Sequence, residues 1–255
     1  MLLPFYSLAA VLLLSAVELL WPARQQRVDW RVNAMAMVFY FASTLLLLPL
    51  VSLAVGHLTQ GFSAFSLRGL PFWLAAPIYI LAADFTEFAF HRAQHAVPVL
   101  WRMHALHHSD RAVSASTAYR HYWLDIVAKG LTIYPLLGLI FEPTAPILAL
   151  NLVISFWHVV AHANLPVDFG RWSWVLNSPA YHRRHHSADP AHYNQNFAGL
   201  FPIFDVLAGS YRRPDSVPAT GLPAQPRSVG DVALWPIRAA VGGQGYGDTV
   251  LNRSA

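Results

Sequence analysis

The sequence predicts an all-α, integral membrane protein with about four transmembrane regions and a histidine-rich helical cap on the cytoplasmic side. Hydrophobic residues make up 55% of the 255 residues and charged residues only 12%, whereas a soluble domain carries about 25% charged residues. Several apolar runs reach the roughly 20 residues that a helix needs to cross a bilayer core. Ten of the thirteen histidines fall into four short clusters that follow or end these runs.

The candidate membrane spans are three single apolar runs and one hairpin. The first run lacks the basic start and the cleavage site of a signal peptide, so we interpret it as a retained span. The two arms of the hairpin are shorter than the other runs and meet at Phe141-Glu142-Pro143. The predicted regions are Leu2–Leu20, Asn33–Gly56, Leu70–Phe90 and the hairpin arms Val127–Ile140 and Pro146–Val160.

The arginines predict the orientation of these spans. Arginines are frequent after the first span, after the third span and after the hairpin, which by the positive-inside rule places the amino terminus outside and the histidine clusters in the cytoplasm. We therefore expect a multi-pass protein of a bacterial inner membrane, whose formal charge of +4 lies beside anionic headgroups. The arginines form no continuous stripe, so a nucleic-acid partner is not expected. His57, alone in a loop on the opposite side, is interpreted as structural.

Residues 1–213 are predicted to form a single membrane-embedded domain. Residues 214–255 are rich in Pro and Gly, and we predict an irregular tail in which Val229–Ala240 lies on the membrane. The chain contains no cysteine. This excludes disulfides, Cys-ligated zinc, an iron–sulfur cluster and a thiol nucleophile, so any reducing centre belongs to another protein.

The four histidine clusters have the spacing of metal ligands. The order H-x3-H, H-x2-HH occurs twice, and helical residues three or four apart share a face with Cβ atoms about 5–6 Å apart, so the three imidazoles of H-x2-HH can converge on one side. Ten imidazoles exceed the four ligands of a tetrahedral zinc, which predicts a pair of metal ions. Imidazole binds iron, zinc, copper and nickel, so ligand type does not identify the metal. The candidate ligands are His91, His95, His104, His107, His108, His158, His162, His182, His185 and His186.

Four carboxylates are candidates for orienting these ligands. Asp84 and Glu87 share a helical stripe with the first cluster, and Asp110 and Asp189 directly follow the two H-x2-HH clusters. Ligating histidines commonly donate their second N–H to a carboxylate or a carbonyl. Helix capping or surface charge is the alternative explanation for these four residues.

The clusters and their flanks resemble the fatty acid hydroxylase superfamily, the membrane di-iron group that includes sterol desaturases. The resemblance is carried by DFTEFAFHRAQH, LWRMHALHHSD, SPAYHRRHHSADP and NFAGLFPIFDVLAGSY, and extends from Asp84 to Tyr211, about half the chain. It implies that the ten clustered histidines bind two iron ions, with zinc as a substitute. It further implies hydroxylation or desaturation of a lipid C–H bond, of a sterol or a fatty acyl lipid for example, with O2 and two electrons. A separate cytochrome b5-, ferredoxin- or reductase-type donor would supply those electrons.

Two departures from the family pattern concern the substrate pocket. The family's R-x-HP is here Arg120-His121-Tyr122, and its N-[YF]-G is here Asn196-Phe197-Ala198-Gly199. His121 and His192 are candidates for extra ligands or substrate contacts.

Two other functions remain open on the sequence alone. A histidine-rich zinc transporter would place its ligands near the bilayer midplane across opposed spans, whereas these cluster at one face. A zinc-dependent lipid hydrolase would need fewer ligands and an open position for water, and no glutamate lies inside a histidine cluster.

Overall fold

The computed structural model describes residues 3–59, 61–62, 64–67, 69–142 and 145–241. Leu2, Pro143 of the predicted turn and residues 242–255 of the predicted tail lie outside this set. The helices within it are α1 (Leu3–Leu20), α2 (Trp30–Leu46), α3 (Leu48–Thr59), α4 (Phe72–Ala96), α5 (Pro98–His108), α6 (Asp125–Ile140), α7 (Ala145–His162), α8 (Pro179–His185), α9 (Ile203–Ala208), α10 (Val229–Ala233) and α11 (Trp235–Val241). Two short strands, β1 (Phe65–Ser66) and β2 (Phe141–Glu142), pair in parallel.

The all-α membrane fold is confirmed, and the number of spans is approximate. Helices α4 and α7 are long and apolar enough to cross a membrane, and α2 with α3 forms a third candidate that is bent by 41°. The apolar part of helix α1, Pro4–Leu20, falls just short of this length, and α6 has 16 residues. Length and composition therefore give two or three spans among the described residues, where the sequence suggested about four.

A sharp corner between α4 and α5 brings the first two histidine clusters face to face. Val97 alone separates the helices and has an extended backbone (φ −99°, ψ 118°). Pro98 explains this conformation, because a residue that precedes proline is disfavoured in the helical region, while proline itself is well suited to the first helical position. His91 and His95 at the end of α4 thus lie opposite the histidines of α5.

A buried carboxylate of α1 links the loops beside the second pair of clusters. Glu18 accepts hydrogen bonds from the backbone N–H of Ala115 at 2.7 Å and of Asn164 at 2.6 Å. Ala115 begins a 3₁₀ turn that follows α5, and Asn164 lies just beyond the end of α7. The one acidic residue of the first apolar run therefore holds together two segments that carry histidines to the centre.

The tail differs from the irregular segment that its Pro and Gly content predicts. Residues 229–241 form α10 and α11, because Ser228 and Asp231 make a capping box that starts α10. Upstream, Thr220 pairs with Ser187 in an isolated antiparallel bridge, and Leu222 packs against Trp101. The described part of the tail therefore packs on the elements that carry the histidines. The boundary at residue 213 stays a prediction.

Candidate metal centre

Nine of the ten predicted ligands converge in two buried groups. Within each group the potential ligand atoms all lie within 4.8 Å of one another. One group, termed group A, comprises His91, His95, His104, His108 and His185. The other, termed group B, comprises His107, His162, His182 and His186.

Each H-x2-HH cluster is divided between the two groups, instead of converging on one side. On α5, His104 and His108 belong to group A, whereas His107 belongs to group B. On α8 and its end, His182 and His186 belong to group B, and His185 belongs to group A. The i, i+4 pair shares one helical face, while the histidine at i+3 is rotated by about 60° from the first member and about 100° from the second, to the other side of the first. A single short helix can therefore supply ligands to both groups.

The Nε2 atoms of different histidines face one another at contact distance. In group A, Nε2 of His108 lies 3.2 Å from Nε2 of His95 and 3.1 Å from Nε2 of His185. In group B, Nε2 of His182 lies 2.9 Å from Nε2 of His162 and 3.2 Å from Nε2 of His186. An Nε2 atom carries at most one hydrogen, so it cannot donate to two neighbouring Nε2 atoms that both present lone pairs. A cation between the rings would accept all of these lone pairs, so each group fits a bound cation.

Backbone carbonyls determine the tautomer of three candidate ligands. The Nδ1 atoms of His91, His162 and His185 donate to the carbonyl oxygens of Phe197 (2.7 Å), His158 (2.7 Å) and Gln195 (2.8 Å). In a neutral imidazole whose Nδ1 carries the hydrogen, Nε2 carries the lone pair. These three Nε2 atoms are therefore prepared to bind a metal, and carbonyls perform the orienting role that the sequence assigned to carboxylates.

Burial keeps the imidazoles of α5 and α8 neutral. Desolvation lowers the pKa of His104, His107, His182 and His186 well below 6.5, and neighbouring histidines lower it further. Burial also lowers the pKa of His185 to about 4. The unprotonated form is the one that ligates a metal, so the groups fit ion binding at neutral pH.

The remaining predicted histidines lie outside groups A and B. His158 donates from Nε2 to the carbonyl of Ala118 at 3.1 Å, and Nδ1 of His192 contacts Oγ of Ser187 at 2.9 Å. His121 stacks on His107 with ring centroids 4.3 Å apart and planes 10° apart. His57 is exposed near the end of α3.

His121 also forms a third small cluster with His104 and Asp125, whose ligand atoms lie within 4.8 Å of one another. Nδ1 of His121 lies 3.4 Å from Oδ2 of Asp125, and the other oxygen of this carboxylate accepts from Gln94 at 2.5 Å. Sequence reasoning missed both residues: Asp125 lies outside the four clusters, and Gln94, although it lies inside HRAQH, is not a usual metal ligand.

The carboxylates Asp84 and Glu87 make contacts other than the predicted bonds to ligands. Asp84 accepts from the backbone N–H of Leu200 at 2.8 Å and of Phe201 at 2.7 Å. Glu87 forms an ion pair with Lys129, with Nζ and Oε2 3.1 Å apart. Asp84 therefore holds the loop after α8 against α4, and Glu87 links α4 to α6.

Asp110 and Asp189 fit the alternative explanation of capping and local structure. Asp110 accepts from Asn33 at 3.2 Å and from the Thr117 hydroxyl at 2.6 Å. Asp189 caps a short 3₁₀ turn by accepting from the backbone N–H of Ala191 at 2.9 Å. Both residues organise the loops that follow the H-x2-HH clusters.

Sequence reasoning also missed Asp205, which holds the loop that supplies two of the orienting carbonyls. Its carboxylate accepts from the backbone N–H of Phe197 (3.0 Å) and Ala198 (2.7 Å), the hydroxyl of Tyr181 (2.5 Å) and that of Ser210 (2.6 Å). The residue is fully buried. The sequence did contain an indication that Asp205 is important, because it lies in the family-like closing stretch NFAGLFPIFDVLAGSY.

Two adjoining cavities lead to the histidines. The smaller, of about 50 Å³, is lined by histidines of both groups, among them His91, His104, His107 and His182. The larger, of about 150 Å³, lies among α1, α2, α4, α6 and α7. A small molecule in the smaller cavity would contact both groups.

Comparison with known proteins identifies a family that matches the segment around this centre. The fatty acid hydroxylase family model matches residues 76–210, a segment that contains both histidine groups. An alkylglycerol monooxygenase of Danio rerio is 30% identical over 167 residues, which is 65% of this chain and 35% of that protein. The ornithine lipid hydroxylase OlsE of Rhizobium tropici is 30% identical over 143 residues, 56% of this chain and 43% of that protein.

A third relative, the Delta(7)-sterol 5(6)-desaturase erg3B of Aspergillus fumigatus, is 28% identical over 153 residues, 58% of this chain and 43% of that protein. The matches thus span between about a third and less than half of the length of these curated relatives. The search of solved structures found no significant match. Since the family model covers more than half of the chain and includes every histidine of groups A and B, the protein belongs to the fatty acid hydroxylase family.

Proposed function

We propose that this protein is a membrane di-iron oxygenase that hydroxylates, or desaturates, a C–H bond of a lipid. Hydroxylation balances as RH + O2 + 2 e⁻ + 2 H⁺ → ROH + H2O, with one oxygen atom entering the product. The observation that carries the proposal is the convergence of nine imidazoles into two adjacent buried groups. The relatives are named for a monooxygenase, a hydroxylase and a desaturase of lipids.

The composition of the two groups favours iron over zinc. Groups A and B offer five and four imidazoles, whereas a catalytic zinc site has three protein ligands and an open position for water. Bound iron would supply the reductive O2 chemistry that side chains cannot perform. The chain's own residues would hold the two ions, keep the imidazoles neutral and fix their orientation through the carbonyls of His158, Gln195 and Phe197.

The surroundings of the histidines suit a substrate that arrives from the bilayer. The cavities lie beside α4 and α7, the two described helices that are by themselves long and apolar enough to cross a membrane. Burial of the histidines excludes bulk water, which limits loss of reducing equivalents to side reactions. We propose that a lipid enters laterally between the helices, with the histidine groups on the cytoplasmic side.

The electrons would come from a separate protein. The chain contains no cysteine that could hold an iron–sulfur cluster. Exposed arginines such as Arg92, Arg102 and Arg111 lie on or after the elements that carry the ligands. They would attract an acidic donor of the cytochrome b5, ferredoxin or reductase type, since a charged patch steers a partner of the opposite sign.

Metal analysis with Mössbauer spectroscopy of ⁵⁷Fe-labelled protein purified from membranes tests the proposal. We expect close to two irons per chain, magnetically coupled and responsive to a chemical reductant followed by O2. Membranes supplied with reductant and ¹⁸O2 should then incorporate label into a lipid. Stable zinc with no redox response after iron reconstitution would instead favour a zinc transporter or a hydrolase.

A further inference from the structure

The exposed side of α4 changes from apolar to basic close to the histidine groups. Leu81 and Phe85 are exposed on this helix, and Arg92 is the exposed residue two turns further on. At about 1.5 Å per residue, Phe85 lies about 20 Å and Arg92 about 30 Å from the start of the helix at Phe72. The exposed Trp73 at that start fits the opposite interface, and a hydrocarbon core is about 30 Å thick. The boundary between hydrocarbon and headgroups therefore falls between Phe85 and Arg92, on the side of the histidines.

Helix α9 packs against α4 at this boundary. The ring of Phe204 lies edge-on to that of Phe85, with centroids 5.4 Å apart, and its centroid is 5.8 Å from that of Phe88. On the same short helix Val206 is exposed, and Leu207 is 79% exposed. Transfer of such a leucine from water to hydrocarbon is favourable. The exposed part of α9 therefore continues the lipid-facing surface of α4.

The loop between α7 and α8 extends this apolar surface. Trp172 is 56% exposed, and Trp174 and Val175 are exposed as well. The hydroxyls of Ser173 and Tyr211 lie 2.7 Å apart, which joins this loop to the residues directly after α9. Tryptophan is enriched at membrane interfaces, because its ring is apolar and its N–H is polar. We term the exposed apolar residues of α9 and of this loop the boundary patch: Trp172, Trp174, Val175, Val206 and Leu207.

Three arginines adjoin the boundary patch. The guanidinium of Arg171 lies 5.0 Å from the centroid of the Trp172 ring. Arg212 donates to two backbone carbonyls at the end of α9, and Arg213 beside it is also exposed. Guanidinium groups bind phosphate through two parallel hydrogen bonds, and basic side chains at a membrane surface are attracted to anionic lipids. Continuity with the lipid-facing side of α4 selects a bilayer over a protein as the partner of this surface.

Helix α9 also carries a carboxylate that organises the metal centre. Asp205, two residues before Leu207, accepts from the backbone N–H of Phe197 and of Ala198. The carbonyl of Phe197 in turn accepts from Nδ1 of His91 in group A. The helix has six residues, too few for a helix to be stable without contacts. Its position therefore depends on what covers its exposed side, and the orientation of His91 depends on its position.

We infer that the boundary patch inserts into the headgroup boundary of a bilayer that contains anionic phospholipid, and that this contact holds α9 in place and strengthens metal binding. The bilayer contact goes beyond the proposed function and is independent of it. The effect on metal binding rests on groups A and B holding metal, as the proposed function requires. The bilayer is thus a positioning partner of the metal centre as well as the medium around the spans.

Spin labelling measures the bilayer contact. The chain has no cysteine, so each single-cysteine variant carries one label. The variants are Leu207→Cys, Leu81→Cys on the exposed side of α4 and Ser216→Cys at an exposed polar residue of the tail, in equal parts of phosphatidylcholine and phosphatidylglycerol. In power-saturation EPR, the first two labels should collide more with O2 than with a water-soluble nickel chelate, and the third should show the reverse. A Leu207→Cys label that matches the Ser216→Cys label would overturn the inference.

Chelator competition measures the coupling to the metal centre. Leu207→Glu in the same bilayers should bind metal about tenfold more weakly than wild type, the lower end of the change that follows loss of a residue supporting metal ligands. Leu58→Glu is the matched control, because Leu58 is 78% exposed but belongs to α3. This control should bind metal as wild type does. Equal metal affinity of Leu207→Glu and wild type would refute the coupling.

Lipid composition separates the bilayer contact from the folding of α9. Wild-type protein should bind metal more tightly in bilayers with phosphatidylglycerol than in phosphatidylcholine alone, and the double variant Arg171→Gln with Arg213→Gln should abolish this difference. Equal affinity of wild type in both bilayers and in dodecyl maltoside would overturn the coupling. Wild-type protein that holds no metal would instead count against the proposed function, while the spin labels would still decide whether the boundary patch contacts the bilayer.

Discussion

Asp205→Asn should loosen the metal centre without touching a ligand. Asp205 accepts four hydrogen bonds, two from backbone N–H groups and two from hydroxyls, divided evenly between its two oxygens. In the variant the amide nitrogen replaces one oxygen. A hydroxyl can rotate to accept from this amide, but the backbone N–H of either Phe197 or Ala198 loses its acceptor.

The expected cost follows from that single orphaned donor and the lost charge. A buried donor without a partner costs about 1–3 kcal/mol, and loss of a charge-assisted bond adds to this, so we expect a destabilisation of about 2–4 kcal/mol. The loop also carries the carbonyls that orient His91 and His185. Loss of a residue that supports metal ligands typically weakens metal binding by about 10–100-fold.

The assay is the iron retained during graded chelator competition, with thermal unfolding in the same detergent measured in parallel. Asp168→Asn is the matched control, because Asp168 is exposed and accepts only from the backbone N–H of Gly170 at 3.1 Å among the contacts described. A wild-type chelator profile in Asp205→Asn would refute the idea that this loop holds the ligands in place.

Three further predictions test the centre and the tail. His107→Ala and His185→Ala should each abolish activity and lower metal content with membrane insertion intact, while His57→Ala should keep both; full activity in either of the first two would contradict their assignment as ligands. Metal-free protein should lose stability as the pH falls from about 6.5 to 4, because unfolded His185 takes up a proton near pH 6.5 while burial lowers its folded pKa to about 4. The free energy of unfolding should fall by about 3 kcal/mol over this range, and a constant free energy of unfolding would contradict the prediction. Gly221→Ala should lower the melting temperature and loosen the tail, since Gly221 has φ +99° and an added Cβ would lie 2.8 Å from Cα of Arg111; the cost is about 1–3 kcal/mol, and unchanged protease resistance of the tail would argue against it.

The sequence predicted the helices and most members of the two histidine groups because helical periodicity is local information. The i, i+4 spacing of His91 and His95, and the Pro98 that ends the preceding helix, are visible in the letters alone. The division of His104, His107 and His108 between two groups follows from the same rotation per residue. It could have been predicted, had each middle histidine been placed on its own face of the helix.

The contacts that orient the ligands could not be predicted, because they join residues that are distant in the chain. Asp84 binds the backbone of Leu200 and Phe201, and the carbonyl of Phe197 accepts from His91. No spacing rule selects a backbone carbonyl as a partner. Asp84 and Glu87 were predicted to orient ligands from their helical stripe, but their actual partners depend on how the loop after α8 and helix α6 pack.

The contacts of the tail were not predicted, because a high content of Pro and Gly indicates only a backbone without regular secondary structure. Such a backbone can still make fixed contacts. Gly221 donates to the carbonyl of His186 at 3.3 Å, and Gln225 donates to the carbonyl of Ser109 at 2.5 Å. Both partners lie in or next to an H-x2-HH cluster. An irregular segment is thus held in one place by hydrogen bonds to the elements around the centre.

This arrangement has a consequence for how the protein matures. The ribosome makes every histidine of groups A and B before it makes Gly221 and Leu222, which line a cavity beside His95 and His108. A nascent chain therefore offers an ion a more direct route to the ligands than the finished protein does. Release of this segment would open one side of group A, so residues far from the ligands in sequence would help to decide how long a centre, once filled, keeps its metal.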